Sequence, residues 1–196
     1  MLRKRLYNRG DTLVEVLFAV AIFSFVAVGS LSIMNQGTAA TQRALEITLV
    51  RQEIDAQAEA LRFLNASYIS NSTHSNQWIL IKRDYAKENV SDFDIIGAGA
   101  TCPSVRPANS FIVNTRIAQL VGGIGWYEPA PTFSQVIYKE DSNVSAYGIW
   151  IEAVGVDGAE GEAANYIDFH IRACWDSPGQ SVPVTLGTIV RLYEPK

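Results

Sequence analysis

Residues 9–34 read RGDTLVEVLFAVAIFSFVAVGSLSIM, and this stretch decides the fold. After Glu15 no charged residue occurs until Arg43. From Leu17 to Met34 the run is apolar apart from small Ser and Gly residues. Eighteen residues of helix rise about 27 Å, close to the hydrocarbon thickness of a bilayer. Arg3, Lys4, Arg5 and Arg9 precede the run, with no acid among residues 1–10. A basic stretch before a single apolar span predicts a cytoplasmic N-terminus and an extracytoplasmic remainder.

The helix pattern continues downstream. Residues 43–64, RALEITLVRQEIDAQAEALRFL, are rich in strong helix formers. Their apolar residues form two adjacent stripes. One is Leu45, Leu49, Ala56, Ala60 and Phe63; the other is Ile47, Val50, Ile54, Ala58 and Leu61. Arg51 and Asp55 form an i,i+4 pair, and Glu59 and Arg62 an i,i+3 pair. Residues 12–64 therefore read as one nearly continuous helix, roughly 80 Å long. Proline is absent before Pro103, and 11 of the 14 glycines lie at Gly97 or later, so the helix breakers are kept out of this third.

From Asn65 the texture changes. NASYISNSTHSNQ (65–77) reads as a turn-forming run. Trp78, Ile81 and Tyr85 suggest a short helix over 77–88. FIVNT (111–115), AYGIWIEAVGV (146–156), YIDFHIRACW (166–175) and VTLGTIVRLY (184–193) read as strands, with VIY (136–138) a weak extra. In 166–175, Ile167, Phe169, Ile171, Ala173 and Trp175 alternate with Asp168, His170, Arg172 and Cys174. Residues 156–165 and 176–183 carry turn chemistry. Consecutive strands joined this closely imply an antiparallel meander, and its apolar face needs the amphipathic half of the helix as a cover. The expected fold is α+β: a long N-terminal helix packed on an antiparallel meander sheet of about four strands.

Composition agrees with this division. The 196 residues carry 16 Lys+Arg against 20 Asp+Glu, a net −4. Without residues 1–10 the balance is 12 basic to 20 acidic, a net −8. That acidity argues against a nucleic-acid binder. The mean hydropathy of +0.07 averages a lipid-grade segment with a polar domain.

Gly10, Asp11-Thr12-Leu13-Val14-Glu15 and the apolar helix after them resemble the N-terminal signal of type IV pilins and pseudopilins. The family's usual pattern is Gly, then Phe-Thr-Leu-Ile-Glu, then an apolar helix. The resemblance covers residues 1 to about 35, and a long helix followed by a small antiparallel sheet extends it to the fold. It implies cleavage after Gly10 by a membrane-embedded prepilin peptidase, usually followed by methylation of the new N-terminal amine. Glu15, fifth in the mature chain, would then neutralise the amine of a neighbouring subunit. An amine and a carboxylate buried in a helix bundle are tolerable only as a pair.

The resemblance further implies a leader at 1–10, a transmembrane and filament-core half-helix at 11–42, an amphipathic half at 43–64 and an extracytoplasmic head at 65–196. Its partners would be other pilin subunits, the peptidase and the membrane. Two departures point towards a minor pilin or pseudopilin rather than a major one. Asp11 replaces the usual Phe and puts a second carboxylate beside the amine. Ser32 stands where many major pilins carry a kinking proline. The rival expectation is a non-polymerising single-span surface protein with a ligand-binding head.

Cys102 and Cys174 are the only cysteines. On this topology both lie outside the cytoplasm, where a disulfide persists. His170 and Cys174 have an H-x3-C spacing that His74 and Cys102 could complete, but nothing in the sequence brings the four together, so no metal is expected. No nucleophile–base order, phosphate loop or carboxylate pair stands out, so neither enzymatic activity nor a cofactor is expected. Asn65, Asn71, Asn89 and Asn143 begin N-x-S/T triplets of the kind frequent in polar loops. The four tryptophans read as core rather than as a sugar platform.

Overall fold

Strong helix formers without proline produce one unbroken helix, α1, over Asp11–Ile69. The structure is a computed structural model that describes residues 11–87, 100–139, 143–156 and 166–194. The chain divides into two compact units, Met1–Gln42 and Arg43–Lys196, and α1 contributes to both.

α1 ends at Ile69, five residues beyond the expected stop at 64. The polar run that reads as a turn stays helical because its polar groups find partners. Asn65 is buried and its Nδ2 donates to the Tyr193 carbonyl at 3.2 Å. Tyr68 stacks on Trp78 with ring centroids 6.3 Å apart. The helix closes at Asn71, whose φ of 50° is left-handed. Asn71 N–H bonds the Tyr68 carbonyl and Ser72 N–H the Ser67 carbonyl, a Schellman closure with Asn in glycine's usual place.

Of the two expected stripes on 43–64, only one is buried. Val50, Ile54, Ala58 and Leu61 lie in the core, whereas Leu45 and Phe63 are exposed. The buried face also takes in Glu46 and Gln57, which hydropathy assigns to solvent. Among the described residues Glu59 and Arg62 form an ion pair, and none joins Arg51 to Asp55.

The expected helix over 77–88 is shorter. It comprises α2 (Ser75–Leu80) and a π-helical turn (Ile81–Tyr85). The described strands are β1 (Ala86–Lys87), β2 (Ile112–Asn114), β3 (Gln119–Val121), β4 (Tyr127–Glu128), β5 (Gln135–Tyr138), β6 (Val144–Tyr147), β7 (Ile149–Val156), β8 (Tyr166–Trp175) and β9 (Val184–Tyr193). The largest sheet has the order β1-β7-β8-β9. It has four strands, but only β7, β8 and β9 form the antiparallel meander. The fourth is β1, parallel to β7, so the expected all-antiparallel meander is corrected to a mixed sheet. β4, β6 and β5 form a second mixed sheet, and β2 and β3 a hairpin.

The expected strand 146–156 is divided at Gly148, which separates β6 in one sheet from β7 in another. Gly148 has φ 62°, and a Cβ there would lie 2.4 Å from the Cys174 carbonyl. Its N–H bonds Glu128 O and its carbonyl accepts from Cys174 N, both at 2.8 Å. Only glycine fits both the dihedral and the close approach. The turn expected at 156–165 falls almost wholly outside the described residues.

The core lies between the buried face of α1 and the inner row of β8, namely Ile167, Phe169, Ile171, Ala173 and Trp175. On the other row Asp168, His170 and Arg172 are half-buried, while Cys174 is fully buried.

Candidate functional site

In the first unit the sequence that forms the helix also dictates its surface. Every large apolar residue from Leu13 to Met34 is exposed, from 52% at Val14 to 80% at Phe25. Exposing such a stripe to water is unfavourable by about 25 cal/mol per Å² of apolar area. The helix is long and apolar enough to cross a membrane. Four of its hydroxyls suit an apolar surrounding. Ser24 Oγ donates to the Val20 carbonyl at 2.8 Å and Ser30 Oγ to the Val26 carbonyl at 2.7 Å. Thr38 and Thr41 bond back to Asn35 and Gly37 in the same way. These groups therefore need no water. A Cβ at Gly29 or Gly37 would meet nothing within 4 Å, so packing inside the chain does not require either glycine.

Glu15 is exposed and is the fifth residue of α1. Near the helix N-terminus its charge is favourably placed against the helix dipole. Gly10 lies outside the described residues, as does the side chain of Asp11.

The second unit is held by polar pins that sequence reasoning missed. Trp78 Nε1 donates to Glu194 at 2.6 Å, Trp175 Nε1 to Glu46 at 3.1 Å, and Trp150 Nε1 to Glu152 at 3.3 Å. All six residues are buried. A buried indole N–H needs an acceptor, and a carboxylate is a strong one. Further donors stabilise each charge: Lys82 on Glu194 at 2.7 Å, Ser177 on Glu46 at 2.7 Å, and Arg172 near Glu152 at 3.5 Å. Trp126 is also buried, and its Nε1 has no partner among the described residues. The four tryptophans are core residues. Glu46, so close to the charge-free run, is the one sequence hint of these pins.

A disulfide joins Cys102 to Cys174 across 72 residues of sequence. It fixes the segment before β2 to β8. Tyr127 reinforces the junction, its hydroxyl donating to the Pro103 carbonyl at 2.9 Å. Burial pushes the Tyr127 phenol up to about 12, so it stays a donor at neutral pH. Both sulfurs are consumed, and among the described residues no three His, Cys, Asp or Glu side chains converge as metal ligands. His74 instead packs edge-on against Phe63 at 5.5 Å.

Comparison with protein families, with curated sequences and with solved structures returns no match. The chain's own geometry therefore carries the functional argument.

Two open depressions lie on the surface of the second unit among the described residues. One, of about 470 Å³, lies between α1 and the β2–β3 turn and touches Phe63, His74, Arg116 and Ile117. The other, also about 470 Å³, lies over Gly187 on the sheet, beside His170 and Arg172. Burial pushes the His170 imidazole below its ordinary value, and Arg172 adds to the effect. It is thus neutral at pH 7.

Proposed function

We propose that the chain is a structural subunit of a type IV pilus-like filament, of the minor-pilin or pseudopilin kind. It is inserted in the membrane by residues 11–42, cleaved after Gly10 by a prepilin peptidase, and assembled through α1. The observation that carries the reading is the surface of α1 from Leu13 to Met34, which buries none of its large apolar side chains within the chain. Lipid before assembly and neighbouring helices afterwards are the two surroundings that remove this surface from water. Glu15 supports the second. A carboxylate at the edge of an apolar span costs little at a membrane interface and becomes costly among packed helices unless a cation meets it. The amine freed at Asp11 of a neighbour supplies that cation and fixes the axial register. Residues 65–196 are then the extracytoplasmic head, with the amphipathic half-helix 43–64 packed against it, in keeping with the Cys102–Cys174 disulfide.

N-terminal mass analysis of the native protein tests this reading. The expected mature chain begins at Asp11. A chain that begins at Met1, or one cut beyond Gly29, would overturn it. Protein found only as membrane monomers, with no filament-associated fraction, would favour a non-polymerising surface protein instead.

A further inference from the structure

The depression between α1 and the β2–β3 turn has two fixed walls. One is α1, where the small side chains of Ala56 and Ala60, one helical turn apart, border it beside Phe63. The other is the turn from Thr115 to Ala118. Buried Asn114 shapes that turn. Its Oδ1 accepts from the Arg116 N–H at 3.1 Å, and its carbonyl from the Ile117 N–H at 3.3 Å. Ala118 follows with a left-handed φ of 51°. Two glutamines tie the hairpin to the helices. Gln57 of α1 bonds Val113 of β2, and Gln77 of α2 accepts from the Leu120 N–H of β3 at 2.9 Å. Each strand of the hairpin is thus bonded to a helix, so a ligand meets a site already formed and pays little to order it.

The charges around this depression are not balanced. Arg116 lays its guanidinium on the Tyr138 ring, 4.4 Å from the centroid, and the Tyr138 hydroxyl is bonded to Thr115 at 2.7 Å. Thr115 borders the depression, which places the guanidinium at its rim. Stacking occupies the face of a guanidinium and leaves its N–H edge for an anion. Among the described residues Arg116 pairs with no carboxylate. The one carboxylate that borders the depression, Glu59, is engaged by Arg62. The rest of the lining is mainly apolar. Phe63 is 50% and Ile117 42% exposed. The His74 ring meets Phe63 edge-on and holds it in place. A concave site of about 470 Å³, mostly apolar with a few fixed polar groups, has the make-up of a small-molecule site.

We propose that this depression binds a small planar aromatic carboxylate. The ring lies over Ala56 and Ala60, between Phe63 and Ile117, and the carboxylate takes the N–H edge of Arg116. A guanidinium fork matches a carboxylate with two parallel hydrogen bonds, and its stacking on Tyr138 fixes the direction of the fork. Contact with the Phe63 ring favours an aromatic ligand over an aliphatic one of similar size. An aromatic amine would bring its charge against that of Arg116. A mineral anion would leave the apolar floor uncovered. The site lies wholly within the second unit, so it does not depend on assembly into a filament.

The test uses the full chain in detergent micelles, with protein-free micelles as the blank and 2-naphthoate as the probe. Saturable binding beyond the blank is expected below about 1 mM. Amide NMR shifts should change most from Thr115 to Ala118 and around Ala60. Arg116 is exposed, so Arg116→Met should leave the thermal midpoint unchanged and weaken binding about tenfold. Arg116→Lys keeps the charge without the fork and should recover only part of the loss. Ala60→Leu keeps a good helix former, fills the floor and should abolish binding. The 2-naphthylmethylammonium cation and cyclohexanecarboxylate should each bind about tenfold more weakly than the probe. No binding above the blank overturns the proposal. So does equal binding of the carboxylate and the ammonium, unchanged affinity in Arg116→Met, or shifts centred on other elements. Equal affinity for cyclohexanecarboxylate overturns the aromatic class. A dimer in sedimentation whose amides from Thr115 to Ala118 are protected without the probe overturns a small molecule as the occupant.

Discussion

Gln57 of α1 holds Val113 of β2 by both of its backbone groups. The Gln57 Nε2 donates to the Val113 carbonyl at 2.9 Å, and the Val113 N–H donates to Gln57 Oε1 at 2.8 Å. A side-chain amide thus takes the place of a neighbouring strand, and both residues are fully buried. Gln57→Met keeps the volume and removes the bonds. Each buried group left unpaired costs about 1–3 kcal/mol. Urea unfolding of the variant should show the midpoint lowered with the slope unchanged, and the Val113 amide should exchange faster. An unchanged midpoint would mean that water reaches both groups.

The pin also marks where sequence reading stops. β8 and β9 are legible to the residue, because ten-residue runs with a period of two lie between turn-rich segments. β1, β3 and β4 have two or three residues each, too few for any period to register. The buried face of the helix is hidden from local sequence for a related reason. Leu45 and Phe63 look like core and Glu46 and Gln57 like surface. Only Trp175, Ser177 and Val113, distant in sequence, reverse that assignment. The apolar span is legible, since it is local. The order β1-β7-β8-β9 is not, because strand order is a property of the whole sheet.

Gly148→Ala should be among the most damaging single methyl additions in the second unit. The new Cβ would meet the Cys174 carbonyl at 2.4 Å, and the residue would be held at φ 62°. Strain at such a backbone position alone costs of order 1–3 kcal/mol, and displacing β8 adds to it. Gly123→Ala is the control: it has φ 87° but nothing within 4 Å. Thermal unfolding should place Gly148→Ala well below Gly123→Ala, and equal midpoints would refute the steric account.

Reducing the Cys102–Cys174 bond releases a loop of 72 residues in the unfolded chain. The loss should be about 2–4 kcal/mol, mainly through unfolded-state entropy. Urea midpoints with and without a thiol reductant measure it, and the double variant Cys102→Ala, Cys174→Ala should reproduce the reduced protein. Equal stability of the oxidised and reduced forms would show that the bond stabilises nothing.

His170 predicts an acid-side weakening. Its folded value lies below the ordinary 6.5, chiefly through burial and then through Arg172, while Asp168 and Glu152 pull the other way. The unfolded chain therefore binds the proton more readily. The histidine's contribution to stability is complete above about pH 6.5 and is lost as pH falls through the lowered folded value. In NMR the His170 ring should titrate below 6.5. His170→Gln should flatten the fall in stability between neutral pH and pH 5, and a wild-type slope in that variant would assign the fall to other groups.

If the chain is the filament subunit proposed above, Glu15→Ala separates insertion from assembly. The apolar run from Leu17 to Met34 is untouched, so membrane insertion should be unchanged. Within a filament the variant would leave a neighbour's buried amine without its counter-ion. Removing one member of a buried pair costs about 3–5 kcal/mol, a hundredfold or more in an incorporation equilibrium. Glu15→Asp keeps the charge on a shorter arm and should retain part of the incorporation that Ala abolishes. Sheared filament fractions, compared with membrane fractions by immunoblot, give both quantities from one preparation. If Ala and wild type enter filaments equally, Glu15 is only an interfacial carboxylate, and the register must come from the packing of α1 alone.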